Sequence, residues 1–432
     1  MLVARLYKRF ERLEVDRSDL GVHAGPRRRA EPGHCWVPYK EAFSPQLVHE
    51  ILDSWPDLEG PLLDPFAGVG TSLLVAAERG LSSIGVELLP YPRWAANTVL
   101  SARGVDKAKL EAIDRAVCRI QAGRGRSVPA LPVPAAAWAL PAEVHSALES
   151  IRRRLPPRGS SPEADLSHLA LVTSVEQVSY AVKDGTSLRH RARQRDGRTT
   201  RPGRRGQQIS PAGVVDAFRD NLSVMAQDIP KLPGPTPAYV VGGDARCLPL
   251  ANASVGGVLF SPPYPNRYDY SAIYQLELAF GKFVCSEGDL REVRKSLLRS
   301  HLEAPEPEYD CPDPAVLAVL RRVYAASTHG PAERGRTMRM LVGYFGDMYQ
   351  VLTEISRVAL PGAPVGCVVA TQTYFGQPVP TDLMVASLAQ SVGLQVEAIW
   401  VLRHKNVAVQ QRLRAASGAG GRESVLLLRR AR

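Results

Sequence analysis

Two short stretches hold residues whose types and spacing suit chemistry on a nucleotide-like ligand. In "LLDPFAGVGTSLLVA" (Leu62 to Ala76) an apolar run ends at Asp64, and a turn with Gly68 and Gly70 leads into a helical pattern near Thr71. Glycines there let the backbone bend tightly and approach a ligand, and a helix start offers free N–H groups. Seventeen residues after Gly70, "IGVEL" places Glu87 at the end of the next apolar run. An acid at that point accepts hydrogen bonds from ribose hydroxyls. The fingerprint Gly-x-Gly-x-x-Gly is not met, because Leu73 stands at the third glycine, so an NAD site is disfavoured. The bland alternatives are a structural turn, a capping Asp64 and a solvated Glu87.

The second stretch is "FSPPYPNRYDY" (Phe260 to Tyr270). It comes directly after "VGGVLF", a short apolar run that reads as a buried strand. Proline cannot continue a sheet, so the strand must stop at Ser261. The chain then enters a stiff loop with aromatic faces at a strand end, a place where loops carry function.

Both stretches need a sheet to hold them. "SPQLVHEILDSW" reads as a helix with Ser44 as N-cap and Pro45 in its first turn. "PLLDPF" then reads as a strand, "TSLLVAAERG" as a helix closed by Gly80, "SSIGVEL" as a strand and "YPRWAANTVLSARG" as a helix. That alternation predicts a parallel sheet. Strands resume at "AYVVGGDA" and "VGGVLF". The helix "YFGDMYQVLTEISRVAL", the strand "PVGCVVA", the helix "TDLMVASLAQSVG" and the strands "LQVEAIWVL" and "ESVLLLRR" then close the sheet. Between lie helical stretches such as "KAKLEAIDRAVCRIQAG", "AEVHSALESIRRRL" and "SHLALVTSVEQVSYAV", joined by Pro- and Arg-rich connections. The fold class is α/β, one Rossmann-like sheet interrupted by two largely helical insertions.

The totals narrow the partners. A net charge of +11 favours a polyanion, although an arginine-rich composition alone would also give it. The six cysteines stand singly with no metal-ligand spacing, so neither a zinc site nor a disulfide framework is indicated. No stretch has the length and apolarity of a membrane span, and the expectation is a reduced, cytoplasmic protein with no metal.

"DPFAGVGT", "GVEL", "GDA" and "SPPY", in that order, resemble the S-adenosylmethionine-dependent bacterial DNA methyltransferases that modify exocyclic amino groups, N4 of cytosine or N6 of adenine. "YKEAFSPQLVHEIL" is similar to the segment that precedes the glycine turn in that family. The resemblance implies a mostly parallel methyltransferase sheet with an antiparallel last strand. It implies S-adenosylmethionine as cofactor and double-stranded DNA as partner, and it leaves room for a restriction or defence-system partner. It divides the chain into a basic N-terminal lead-in (1–40), a first methyltransferase part with the cofactor motifs (41–103), and a helical, basic insertion that could read the target (104–237). A catalytic part (238–280), a second insertion (281–340) and a closing part (341–432) complete it.

An exocyclic amino nitrogen attacks a sulfonium methyl poorly, because its lone pair is delocalised into the base. Acceptors for the amino hydrogens localise that pair. By the resemblance, the Ser261 hydroxyl and the Pro262 carbonyl accept, Pro263 stiffens the loop, and Tyr264 offers a face to a flipped base. Positioning and electrostatic preorganisation then carry catalysis. Asp64, Phe66, Gly68, Gly70, Thr71 and Glu87 are expected around the cofactor, with Asp244 at its adenine amino group and Phe43 as a further wall. Ser rather than Asp or Asn before the prolines favours N4 of cytosine.

For DNA, Arg267 and Tyr268 extend the catalytic loop, and "SYAVKDGTSLRHR" resembles a segment in this group, pointing to Lys183 and Arg189. The arginine run from Arg189 to Arg205 and "RHKNVAVQQRLR" are further basic candidates. Other readings are an RNA amino-methyltransferase and a silent methylase fold that only binds DNA. Cytosine C5 methylation is disfavoured, since no cysteine follows a proline to act as nucleophile.

Overall fold

A computed structural model describes residues 2–23, 31–39, 44–118, 128, 130–184, 187–190, 209–306, 309–404 and 421–432. The strands in chain order are β1 (Glu14–Asp16), β2 (Leu62–Asp64), β3 (Ser83–Glu87), β4 (Ala181–Asp184), β5 (Ser187–His190) and β6 (Ala238–Gly242). They continue with β7 (Gly257–Phe260), β8 (Pro364–Ala370), β9 (Gln372–Tyr374), β10 (Gln377–Val379), β11 (Leu394–His404) and β12 (Arg422–Arg430).

The main sheet has the order β1-β11-β12-β8-β7-β2-β3-β6. β6, β3, β2, β7 and β8 run parallel, and β12 runs antiparallel to both β8 and β11. This is a Rossmann-like α/β sheet with an antiparallel last strand. From β2 the chain builds outward through β3 to β6, then returns to the other side of β2 at β7. The order therefore reverses between β2 and β7, and an open α/β sheet has its ligand crevice at such a point.

Burial explains why the central strands show no polar alternation. All seven residues of β8 are buried, as are all four of β7. Successive residues serve opposite faces. Leu63, Phe260 and Cys367 pack into the core with the helices Pro331–Val358 and Thr381–Ser391. Leu62, Leu259 and Val368 pack into the core with the helix Pro45–Asp53. A third core joins the helices Lys107–Cys118, Ala142–Arg152, Pro162–Gln177 and Pro211–Asp228 to the helix Gln275–Phe280.

Several helices begin with a hydroxyl or carboxylate cap followed by proline. The Ser44 hydroxyl accepts from the Leu47 amide at 3.2 Å, and Ser161, Ser210 and Asp313 do the same ahead of Pro162, Pro211 and Pro314. The helix Pro211–Asp228 is an addition to the expected elements, although Ser210-Pro211 repeats the Ser44-Pro45 signal and Val214, Ala217, Phe218, Leu222 and Met225 share one buried face. Tyr180 to Val182, expected to end a helix, instead leads into the β4–β5 hairpin, and the helix before it closes at Gln177.

The largest correction concerns the first residues. Rather than a polar lead-in, Leu2–Phe10 is a helix that buries Leu6 and Phe10, and β1 pairs with β11 in the main sheet. Glu14 binds Arg422 with both carboxylate oxygens, at 2.7 and 2.8 Å. The Trp36 indole donates to Asp228 at 2.9 Å. These anchors are single residues whose partners lie far along the chain, so local polarity conceals them. No helix among the described residues is long and apolar enough to cross a membrane.

Gly85 seats the glycine turn on the sheet. It pairs with Asp64 across β2–β3, and a Cβ there would lie 2.7 Å from the Ala67 Cβ and 3.1 Å from Leu73. Gly85→Ala should therefore destabilise the protein by about 1–3 kcal/mol in urea unfolding. Gly104→Ala, where nothing lies within 4 Å, should change stability by less than about 0.5 kcal/mol.

Candidate active site

The turn after β2 is held open by its own backbone and two carboxylates. Gly68 and Gly70 take φ values of +52° and +82°, the left-handed region that only glycine enters cheaply. Asp64 accepts from the Phe66 amide at 2.9 Å and from the Ser72 hydroxyl. Across the strand gap, Glu87 accepts from the Gly68 amide at 2.9 Å and from the Leu89 amide at 2.7 Å. One carboxylate thereby fixes the end of β3 to the turn after β2.

Both carboxyls are buried, and burial is the main influence on each. It pushes Asp64 up to about 7, against the lowering effect of the Ser72 and Phe66 hydrogen bonds, with the Glu87 charge adding to the rise. Burial also raises Glu87, opposed by the Leu89 and Gly68 amides and by Arg93.

The Ser261–Tyr264 loop leaves β7 beside this turn. The Ser261 hydroxyl lies 3.2 Å from the Val368 carbonyl and 3.3 Å from the Tyr264 hydroxyl, which donates to Glu423 at 3.5 Å. Donation from Ser261 to Val368 leaves the Ser261 lone pairs free to accept. Beyond the loop, the Arg267 amide donates to the Ser300 carbonyl at 3.0 Å, and the Ser300 hydroxyl donates to the Tyr268 carbonyl at 3.3 Å.

The two stretches face each other across one cleft of about 890 Å³, its open mouth included. Asp64, Phe66, Gly68, Thr71, Glu87 and all four residues from Ser261 to Tyr264 line it. Gly70 sits below the wall, where a Cβ would meet Ala96 at 3.2 Å. Asp244 does not line the cleft, although its neighbour Ala245 does. Its carboxylate is bound by Arg246, at 3.0 Å from Nε and 2.7 Å from Nη2. Phe43 lies outside the described residues.

Other lining residues carry no motif. Tyr270 closes the second stretch, and Tyr39, Leu297 and Leu298 reach the cleft from distant segments. Tyr39 stacks on Tyr274 with centroids 4.8 Å apart and planes 4° from parallel. The family-like stretch beginning at Tyr39 is the one signal that points to it.

The DNA candidates divide. Arg267 is one-third exposed, 3.2 Å from the Thr337 hydroxyl and 3.8 Å from Glu333. Lys183 requires correction. Its side chain is buried against Glu277 and lies 3.2 Å from Glu176, so no phosphate reaches it here. Burial opposes its charge, but the two glutamates outweigh burial and hold its pKa above the ordinary lysine value. The backbone of Arg189 belongs to β5. The run from Arg191 to Arg205 lies outside the described residues, as does most of the Arg403–Arg414 stretch.

No family model matches the chain. It is similar to the type II methyltransferase M.BsoBI of Geobacillus stearothermophilus, 26% identical over 436 residues, covering 91% of this chain and 85% of that one. The type II methyltransferase M.AvaI of Nostoc sp. is 26% identical over 412 residues, covering 87% and 81%. The chain's relatives are type II methyltransferases. A solved geranyl diphosphate C-methyltransferase from Streptomyces coelicolor A3(2) overlays with a TM-score of 0.34 at 9% identity, covering 99% of this chain and 93% of that one.

The raised Asp64 pKa has a direction that stability measurements can read. The folded state holds this proton more tightly than the unfolded chain, whose value is the usual 3.8. Stability is therefore lost as pH rises from about 4 through about 7, by roughly 4 kcal/mol at most. Asp64→Asn should remove that portion of the slope in urea unfolding between pH 4 and pH 8.

Proposed function

We propose that the chain is a DNA methyltransferase that uses S-adenosylmethionine to methylate an exocyclic amino nitrogen of a flipped base, N4 of cytosine. The observation that carries this reading is the single cleft joining the Glu87-bound glycine turn to Ser261–Tyr264.

The residues fit the cofactor. A Cβ on Gly68 would stand 3.1 Å from the Tyr39 ring, so the turn offers bare backbone where a side chain would intrude. Each Glu87 oxygen is engaged by one backbone amide, which leaves acceptor capacity for ribose hydroxyls. Asp64, Phe66, Gly68 and Thr71 form the same wall, with Gly70 shaping the turn below. Asp244, one residue from the lining, is the acceptor proposed for the adenine amino group, and Phe43 a further wall. When bound, the cofactor supplies a methyl group on a positively charged sulfur, which leaves with the bonding pair.

The chain's own residues prepare the nitrogen. The Ser261 oxygen and the Pro262 carbonyl accept hydrogen bonds from the amino group, concentrating the lone pair on nitrogen, and the proton released once the methyl is attached passes to solvent. Pro262 and Pro263 fix those acceptors before the base arrives, so little reorganisation remains at the moment of transfer. Tyr264, its hydroxyl anchored by Glu423, gives the base an aromatic face. Arg267 and Tyr268 continue this loop toward DNA, and Arg189 is a further candidate for phosphate. The net charge of +11 favours the polyanion. The type II relatives favour a restriction–modification setting with a partner nuclease.

Labelled S-adenosylmethionine and mixed-sequence duplex DNA, followed by mass spectrometry of the nucleosides, test the reading. N4-methylcytosine is expected, with Ser261→Ala and Tyr264→Ala each slowing turnover about 10²-fold or more. N6-methyladenine would overturn the base assignment. Labelling of RNA but not DNA would overturn the substrate.

A further inference from the structure

One buried charge cluster lies outside the proposed methyl-transfer chemistry. Lys183 on β4 sits between Glu176, on the helix Pro162–Gln177, and Glu277, on the helix Gln275–Phe280. Its ammonium also lies 4.6 Å from the centre of the Tyr274 ring. Tyr274 is fully buried and stacks on Tyr39, whose ring lines the cleft against Gly68. A continuous series of contacts thus runs from a buried cation, through two parallel rings, to the glycine turn.

Stability alone gives little reason for that cation. Apolar groups of similar volume commonly replace a buried ion pair without loss, because desolvating charges offsets their attraction. An ammonium over an aromatic face does what an apolar group cannot: its attraction to the ring strengthens when water is excluded, and it orients the ring. We propose that Lys183 is a positioning residue for the cofactor side of the cleft, holding the Tyr274–Tyr39 stack against the glycine turn. Glu176 and Glu277 keep the ammonium charged and in place, so the insertion carrying Glu176 bears directly on cofactor affinity. The proposal rests on the S-adenosylmethionine reading of the cleft.

The test uses the full chain and reads Kd for S-adenosylmethionine by calorimetry, KM against kcat for methylation, and Tm. Lys183→Met alone strands two buried carboxylates and threatens folding, so the combined neutral variant E176Q/K183M/E277Q is used. Its Tm should stay near wild type while Kd and KM for the cofactor rise about tenfold, the scale of a desolvated cation–π contact. At saturating cofactor, kcat should be retained. Tyr274→Leu and Tyr39→Leu should raise KM in the same way, and Tyr274→Phe should stay near wild type. These variants decide the matter if the triple variant does not fold. A folded triple variant with unchanged Kd, or unchanged KM in Tyr274→Leu and Tyr39→Leu, would overturn the role of Lys183. Failure of the wild type to bind the cofactor would overturn the underlying reading as well.

Discussion

The bond between the Gly68 amide and the Glu87 carboxylate is the constraint on which the site depends. It adds to the bond from the Ala67 amide to the Val86 carbonyl, 3.1 Å long, in tying the turn after β2 to the end of β3. With it, the turn holds its left-handed glycines over Gly85, and the carboxylate faces the crevice where the strand order reverses. A carboxylate buried this deeply is costly unless it accepts hydrogen bonds, and backbone amides supply them. The same bonds that make the charge tolerable aim its remaining lone pairs into the cleft.

The other wall is assembled by long-range ties. Asp347, fully buried on the helix Pro331–Val358, accepts from the backbone and guanidinium of Arg299 and from Arg246 at 3.3 Å. Arg246 in turn holds Asp244 and the Ser296 carbonyl. This network presses the 296–301 segment onto the catalytic loop and delivers Leu297 and Leu298 to the cleft. The first insertion reaches the opposite side through Lys183 and Tyr274. The second insertion therefore contributes to the wall of the cleft, whereas the first reaches it only through the contacts from Lys183 to Tyr274 and Tyr39.

How much of this is legible in the sequence depends on the range of each interaction. The glycine turn, Glu87 and the Ser261–Tyr264 loop stand next to strands whose apolar runs mark them, so their convergence on one sheet edge is a consequence of alternation alone. Tyr39, Leu297 and Leu298 lie far from those motifs and reach the cleft only through tertiary packing. Lys183 misleads for a related reason. Its stretch resembles a segment of DNA methyltransferases and so points to DNA, and nothing local reveals that Glu176 and Glu277 close around it. The first twenty residues mislead likewise, since Glu14 meets Arg422 only once β1 joins the sheet. The helix Pro211–Asp228 is legible at its start, where Ser210-Pro211 matches Ser44-Pro45, and in the helical spacing of Val214, Ala217, Phe218, Leu222 and Met225.

A crystal structure of the protein with S-adenosylhomocysteine tests the central claim most directly. The ribose hydroxyls should lie within hydrogen-bonding distance of Glu87, the nucleoside should rest against the Gly68 turn, and the sulfur should face Ser261. A nucleoside bound elsewhere, or a cleft in which Glu87 releases Gly68 and turns away from the ribose, would contradict it.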